Sequence, residues 1–359
     1  MHRSVLLRFP DVAGTMAKSF TISGLAEPPR VTLNGRPADV RVAGQAFRFH
    51  WRDMTLTRST LLGLAGAAVL AVRHTVRPAG AQTGTRMHQR KIPSSGEMLP
   101  VVGCGTWRTF DVGRRPEERA PLAEVLAVLF EAGGSVIDTS PMYGAAEGVV
   151  GDLLAAAGTR NKAFIATKVW TSGRDSGIEQ MTRSLSLLRT DHVELMQIHN
   201  LLDWRAHLPT LRAWKADKRI RYLGITHYTP SAHDELEAVM RAEKWDFVQL
   251  NYALDDRAVE RRLLPLAAER GTAVIVNQPF GGGGLLRKLL PRKLPDWAGE
   301  IGCTNWAQVL LKFVLANPAV TCVIPGTGKP EHMRDNVQAG LGVYPDASLL
   351  KKMVAEGGA

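Results

Sequence analysis

The chain has 359 residues, enough for one large domain or two ordinary ones, and its 45% hydrophobic content is ample for a packed core. Cys104, Cys303 and Cys322 have neither metal-ligand spacing nor an even-numbered disulfide pattern, so the sequence indicates no metal site and no fold held by bridges. Of the formal net charge of +11, residues 1–81 contribute 11 basic and 4 acidic side chains (+7), which leaves +4 and no aromatic-interleaved basic patch for residues 82–359, so nucleic-acid binding is disfavoured.

Residues 1–53 contain few large apolar side chains. About fifty such residues carry too little apolar surface to form a core alone, and we expect them to be a poorly ordered extension. A weak alternating pattern from Val31 to Trp51, with a turn at Asn34-Gly35, is compatible with a short hairpin.

Residues 54–81 are laid out like a secretory leader. A polar start with Arg58 is followed by an apolar run from Leu61 to Val72 and by the small residues Ala79-Gly80-Ala81. The apolar run is shorter than the ~17–25 residues that a spanning helix needs. The layout resembles a twin-arginine export leader that lacks its second arginine. Two hypotheses stay open: translation starts at Met54 and the leader directs export to the periplasm, or the segment is a disordered leader on a cytoplasmic protein.

The pattern becomes regular after residue 82. Segments Arg90–Ile92 and Met98–Pro100 flank Pro93-Ser94-Ser95-Gly96, which predicts a β-hairpin. Strand-like segments then follow one another, most of them separated by an amphipathic helix. The predicted strands are Val101–Gly105, Ser135–Asp138, Phe164–Lys168, Glu194–His199, Tyr222–Thr226, Phe247–Asn251, Ala273–Gln278 and Val320–Pro325. The predicted helices are Pro116–Glu131, Glu147–Ala157, Gly177–Leu188, His207–Ala216, Ser231–Arg241, Val259–Arg270, Asn305–Ala316 and Pro330–Gln338.

This succession predicts an α/β fold, a (β/α)8 or TIM barrel, preceded by the short hairpin. The barrel would occupy residues 82–359 as a single domain. An open doubly wound sheet is the structural alternative. It is disfavoured because no Gly-x-Gly-x-x-Gly turn follows the first strand.

Chemically different side chains follow three neighbouring strands of this predicted barrel. Asp138 ends the second strand and Tyr143 lies just beyond it, Lys168 ends the third strand, and His199 ends the fourth. Each residue alone has an ordinary explanation, since aspartates cap turns and terminal lysines reach out to solvent. Because the carboxyl ends of parallel strands meet at one rim, the set predicts a catalytic site.

The motifs around these side chains resemble those of the aldo-keto reductases. The resemblance covers roughly residues 88–340. It rests on Asp138-x-x-x-x-Tyr143-Gly144, Thr167-Lys168-Val169-Trp170, the passage from Ser184 to His199, and Ile324-Pro325-Gly326-Thr327. It implies an NAD(P)H-dependent oxidoreductase that reduces an aldehyde or ketone to an alcohol, with a catalytic tetrad of Asp138, Tyr143, Lys168 and His199.

The four residue types suit carbonyl reduction. When hydride reaches a carbonyl carbon, the oxygen needs a proton, which the Tyr143 phenol can give if its pKa of ~10 is lowered. Lys168 as an ammonium would lower that pKa, and Asp138 would keep Lys168 charged and in place. His199 would donate to the carbonyl oxygen or relay the proton.

The resemblance also implies NADPH as the cofactor, with NADH as the alternative. The residues implied at the nicotinamide are Thr226, His227, Gln249, Asn277 and Gln278. Those implied along the rest of the cofactor are Gly281, Gly326, Thr327, Lys329, Asp335 and Asn336. The chain departs from the family pattern at Thr226-His227, where Ser-Asn is common, and at Asn277, where an aromatic is common.

By the same resemblance, the positions that usually carry basic side chains for a 2′-phosphate hold Gly326 and His332 in this chain. Lys329 and Arg334 are the nearby basic residues that could take their place.

Trp107 and Trp170 are candidate walls of an apolar substrate pocket, although core packing would explain either residue nearly as well. We expect a monomer that acts on a small carbonyl compound, binds no nucleic acid and has no stable membrane span. A second hypothesis is a non-catalytic nicotinamide-binding regulatory module on the same barrel, and a third, weaker one is an export-linked binding barrel.

Overall fold

The computed structural model describes residues 86–357 without interruption, and before them only short strands within residues 4–50. The chain divides into two compact units, Met1–Ala79 and Gly80–Ala359. In the first unit β1 (Ser4–Leu6), β2 (Ser19–Ser23), β5 (Val40–Ala43) and β6 (Ala46–His50) form one antiparallel sheet, and β3 (Thr32–Leu33) pairs with β4 (Arg36–Pro37). The leader predicted at residues 54–81 lies outside the described residues, and poor order of residues 1–53 stays a prediction.

The second unit is a nearly closed barrel of eight parallel strands, preceded by an antiparallel hairpin, so the predicted fold is confirmed. The hairpin consists of β7 (Gln89–Lys91) and β8 (Met98–Pro100). The barrel strands are β9 (Cys104–Gly105), β10 (Val136–Asp138), β11 (Phe164–Val169), β12 (Val193–His199), β13 (Ile220–His227), β14 (Phe247–Asn251), β15 (Ala273–Asn277) and β16 (Val320–Val323).

Each barrel strand pairs with the next one in sequence, and two isolated bridges connect the first strand to the last. One bridge joins Gly105 to Gly326. A Cβ at Gly105 would lie 2.9 Å from the carbonyl oxygen of Ile324, so only glycine permits this close approach of the two strands.

Helices cover the outside of the barrel and pack on it through apolar side chains. They are α1 (Pro116–Glu131), α2 (Ala146–Ala157), α3 (Arg174–Leu187), α4 (Trp204–Ala216), α5 (His233–Ala242), α6 (Leu263–Arg270), α7 (Gly284–Leu289), α8 (Trp306–Ala316), α9 (Pro330–Gln338) and α10 (Ala347–Gly357). All predicted helices are present, whereas α7 and α10 were not predicted. Within the described part of the chain, no helix combines the length and the apolar character needed to cross a membrane.

The inward face of the barrel changes from apolar to polar along the strands. Its amino-terminal end is filled by one apolar cluster, made of Ile92, Leu99, Val136, Phe164, Ala166, Leu195, Tyr222, Phe247, Ala273, Ile275, Cys322 and Ile324. Successive side chains on one face of a strand are two residues apart. The inward positions that follow Val136, Ala166 and Phe247 are therefore Asp138, Lys168 and Gln249, and polar side chains collect at the carboxyl ends of the strands.

Candidate active site

The centre of the site is a buried ion pair between Asp138 and Lys168. Lys168 Nζ lies 2.7 Å from Asp138 Oδ2 and donates a second hydrogen bond, of 2.8 Å, to the carbonyl oxygen of Thr139. Lys168 is completely buried and Asp138 is 2% exposed. Burial by itself lowers the pKa of Lys168, but the charge of Asp138 and the interactions with Asp138 and Tyr143 more than offset it, and the net pKa lies above its usual value. Lys168 is therefore an ammonium.

Two amide side chains hold the other oxygen of Asp138. Gln249 Nε2 donates to Asp138 Oδ1 at 2.7 Å, and Gln197 Nε2 donates to the same atom at 3.3 Å. A Cβ at Gly224 would lie 3.3 Å from Gln197 Cγ, so the neighbouring strand leaves room for this side chain. Gln197 was not predicted as a site residue. A glutamine two residues before His199, on the same face of an otherwise apolar strand, is the pattern that would have indicated it.

Tyr143 and His199 lie next to the ion pair. The ring centroid of Tyr143 is 4.9 Å from Lys168 Nζ. The rings of Tyr143 and His199 pack edge to face, with centroids 6.1 Å apart and an interplanar angle of 84°. The structure thus brings together all four residues of the predicted tetrad.

Burial determines the protonation of both rings. Burial raises the pKa of Tyr143, Lys168 lowers it, and the charge of Asp138 adds to the rise. Lys168 therefore acts in the predicted direction, but burial prevails and the net pKa lies above its usual value. Burial, followed by the charge of Lys168, lowers the pKa of His199 to about 3, so its imidazole is neutral at physiological pH.

Three residues predicted at the nicotinamide join the same network. Thr226 Oγ1 and Asn277 Nδ2 each donate to Gln249 Oε1, at 3.4 Å and 3.3 Å. Both polar atoms of the Gln249 amide are therefore occupied by protein groups. Asn277 Oδ1, by contrast, is buried and has no hydrogen-bond partner among the described residues. This open acceptor fits a ligand that brings an N–H donor, as a nicotinamide carboxamide does.

His227 and Gln278 lie apart from this network. His227 Nδ1 accepts the backbone N–H of Thr229 at 3.3 Å, and its ring stacks on Tyr228 with centroids 5.9 Å apart. Gln278 is exposed, with a φ of 50°. No hydrogen bond found in residues 86–357 connects either side chain to Gln249.

The glycines after β15 form a tight turn. Gly281, Gly282 and Gly283 have φ values of 58°, 59° and 86°, a region that glycine enters without strain. The turn leads directly into α7.

A side-chain hydrogen bond holds the turn between β16 and α9. Thr327 Oγ1 accepts the backbone N–H of Lys329 at 3.1 Å, next to Gly326. Asn336 is buried, and Asp335 Oδ1 accepts a hydrogen bond of 3.4 Å from Gln308.

Of the two basic side chains predicted for the 2′-phosphate, Arg334 forms an ion pair with Glu124 on α1. Lys329 is exposed, and no ion pair is found for it within the described residues.

The two tryptophans predicted as pocket walls are exposed at the rim, Trp107 by 51% and Trp170 by 40%, which disfavours core packing for both. The Arg108 guanidinium lies 4.2 Å from the Trp107 ring centroid. The ring of Trp170 lies 6.4 Å from that of His199, centroid to centroid. Trp170 therefore stands beside the tetrad.

Comparisons with known proteins agree with this geometry. The model of the aldo/keto reductase family matches residues 101–349. The methylglyoxal reductase YeaE of Escherichia coli K12 is 30% identical over 258 residues, which cover 70% of this chain and 89% of that protein.

Solved structures share the barrel fold. An aldo-keto reductase of Klebsiella pneumoniae in complex with NADPH is 24% identical, with a TM-score of 0.64 and coverage of 76% of this chain and 96% of that one. A glycerol dehydrogenase of Gluconobacter oxydans is 22% identical, with a TM-score of 0.62 and coverage of 75% and 94%.

Proposed function

The chain belongs to the aldo/keto reductase family of oxidoreductases, and from that premise we propose that it reduces an aldehyde or ketone to an alcohol with NADPH as the hydride source. The observation that carries this proposal is the buried Asp138–Lys168 pair beside the ring of Tyr143, with His199 packed on the same ring. The Klebsiella reductase holds NADPH, and the Escherichia coli relative is named for methylglyoxal, a carbonyl compound. Both support the proposed cofactor and substrate class.

Tyr143 is the proton donor in this proposal. NADPH, when bound, supplies hydride to the carbonyl carbon. The carbonyl oxygen then takes the proton of the Tyr143 hydroxyl, and the phenol regains a proton from solvent. Because burial raises the pKa of Tyr143, the phenol is protonated at neutral pH and ready to donate. Lys168 stabilises the phenolate that the transfer leaves behind.

Asp138 and His199 support this transfer in different ways. Asp138 keeps Lys168 charged and fixes its position through the 2.7 Å contact between Oδ2 and Nζ. His199, neutral at physiological pH, orients the carbonyl oxygen by a hydrogen bond rather than by a charge.

The cofactor would be held along the rim. Thr226, Gln249 and Asn277 would hold the nicotinamide carboxamide, and the open acceptor Asn277 Oδ1 supports this placement. Lys329 would meet the 2′-phosphate, since Arg334 is already paired with Glu124. His227, Gln278, Gly281, Gly326, Thr327, Asp335 and Asn336 complete the proposed contacts.

The substrate is a small carbonyl compound whose apolar part rests on Trp107 and Trp170. Their exposure at the rim supports this assignment.

The proposed monomeric state follows from the sequence expectation alone. A regulatory module on the same barrel would instead bind NADPH without turning over any carbonyl compound.

Replacing Tyr143 by phenylalanine tests the proposal. Tyr143→Phe removes the proton donor and should lower kcat for a panel of aliphatic and aromatic aldehydes by about 10²–10⁴. NADPH affinity, followed by quenching of intrinsic fluorescence, should remain within about twofold, because the lost hydroxyl contributes little to cofactor binding.

Tyr344→Phe is the matched control. The Tyr344 hydroxyl is buried and finds no hydrogen-bond partner in the described part of the chain, so its removal should leave turnover unchanged. Near wild-type turnover in Tyr143→Phe would contradict the mechanism. NADPH binding by the wild-type protein without reduction of any aldehyde in the panel would favour the regulatory module.

A further inference from the structure

We propose that Ser140 sets the tautomer of His199, so that the imidazole presents its Nε2–H to the carbonyl oxygen of the substrate. Ser140 is a positioning residue in this inference, because it acts on the substrate through His199. The inference rests on the proposed reduction, but the tautomer can be measured without any turnover.

Ser140 is placed where it can control the ring. It lies two residues after Asp138, in the segment that leaves β10, and is completely buried. Its Oγ is 3.3 Å from His199 Nδ1, and His199 itself is 5% exposed. The carbonyl oxygen of Ser140 accepts the backbone N–H of Tyr143 at 3.0 Å. One residue therefore contacts the histidine and fixes the turn that carries the tyrosine.

The direction of the hydrogen bond follows from where each proton can go. A hydroxyl and a neutral imidazole nitrogen can each be donor or acceptor. Ser140 Oγ already accepts the backbone N–H of Met142 at 3.5 Å. If His199 Nδ1 also donated to Oγ, the serine hydrogen would have no acceptor among the described residues. A buried donor without an acceptor is costly. The arrangement that uses every proton has Ser140 donating to Nδ1.

This direction decides what His199 offers to the substrate. Because the ring is neutral, Nδ1 as an acceptor leaves the single ring proton on Nε2. The carbonyl oxygen then meets two donors, the Tyr143 hydroxyl and His199 Nε2–H. In the opposite tautomer Nε2 would present a lone pair to that oxygen and repel it.

The tautomer is read directly from the ¹⁵N shifts of the ring nitrogens in full-length protein labelled at histidine, with His199 assigned through a His199→Asn variant. In the wild-type protein we expect Nε2–H between pH 6 and pH 8. In Ser140→Ala we expect a mixture of both tautomers. For an aldehyde substrate, kcat/KM of this variant should fall about tenfold, in line with loss of one orienting hydrogen bond, while NADPH affinity is unchanged.

Thr139→Val is the matched control for the spectra. Thr139 Oγ1 is also buried, next to Ser140, but within residues 86–357 it has no hydrogen-bond partner, so its removal should leave the His199 tautomer unchanged. Nδ1–H in the wild-type protein would overturn the inference, whether or not the variants fold. So would pure Nε2–H in a folded Ser140→Ala variant. Nε2–H in the wild type with no reduction of any aldehyde would support the inference and reject the proposed function.

Discussion

At the scale of single residues, the raised pKa of Tyr143 and the lowered pKa of His199 set the pH dependence expected of the proposed reaction. In the proposed mechanism reduction uses the protonated phenol, so a raised pKa extends the active range towards alkaline pH. His199 has a pKa of about 3 and is neutral throughout the physiological range. Neither group changes its protonation between pH 5 and pH 8.

We therefore expect kcat/KM for carbonyl reduction to be flat from pH 5 to pH 8 and to decline only above pH ~10, the usual pKa of a phenol. A steady-state pH profile with saturating NADPH measures this. Lys168→Met removes the charge that lowers the pKa of Tyr143, so its alkaline limb should move to still higher pH. An acid limb centred near pH 6.5 would show that His199 titrates there and would contradict the burial argument.

The tetrad could be predicted from the sequence because Asp138, Lys168 and His199 each end an apolar strand, which fixes their common rim. Gln197 shares that rim, two residues before His199, but its contact with Asp138 is seen only in the structure. The direction of the Tyr143 pKa shift could not be predicted from the sequence either. It depends on whether burial or the charge of Lys168 prevails, and only packing decides that.

At the scale of elements, side chains of α3 and α4 hold the loop that carries Trp170. On α3, Gln180 Oε1 accepts the backbone N–H of Trp170 at 2.6 Å, and Gln180 Nε2 donates to its carbonyl oxygen at 3.1 Å. On α4, His207 Nε2 hydrogen-bonds the carbonyl oxygen of Thr171 at 2.7 Å. The helices thus fix the backbone of the proposed pocket wall.

Replacing Gln180 by leucine should loosen this wall. Gln180→Leu removes two hydrogen bonds of about 0.5–1.5 kcal/mol each, so we expect KM for an aldehyde to rise about tenfold while NADPH affinity stays within about twofold. Steady-state kinetics and fluorescence titration provide the two readouts. Gln89→Leu, an exposed glutamine in β7, should change neither value. An unchanged KM in Gln180→Leu would show that the two hydrogen bonds of Gln180 are not needed to hold Trp170.

The two helices that were not predicted show where periodicity is insufficient. α7 has only six residues and begins directly after a turn of glycines, which are poor helix formers. The sequence therefore shows no apolar periodicity long enough to predict this helix. α10 has a recognisable start, because Asp346 Oδ1 accepts the backbone N–H of Leu349 at 2.9 Å. Its burial of Leu349 and Met353 depends on contacts that local sequence does not reveal.

At the scale of the whole barrel, the apolar cluster that stabilises the fold and the proposed catalytic residues lie at opposite ends of the same strands. The hairpin residues Ile92 and Leu99 join the apolar cluster at the amino-terminal end, whereas Asp138 and Lys168 lie at the carboxyl ends. A cavity in the apolar cluster at the amino-terminal end should therefore lower the free energy of unfolding without moving the side chains of the predicted tetrad.

Leu99→Ala tests this separation. Leu99 is 1% exposed, so the substitution leaves a cavity and should lower the free energy of unfolding by about 2–5 kcal/mol, measured by urea titration. At a temperature where the variant remains folded, kcat/KM for an aldehyde should stay within about twofold of the wild-type value, because the tetrad keeps its own hydrogen bonds. Met98→Ala is the control on the same strand, since Met98 is 45% exposed and should cost less than about 1 kcal/mol. A large loss of activity in folded Leu99→Ala would mean that the apolar cluster also sets the geometry of the Asp138–Lys168 pair.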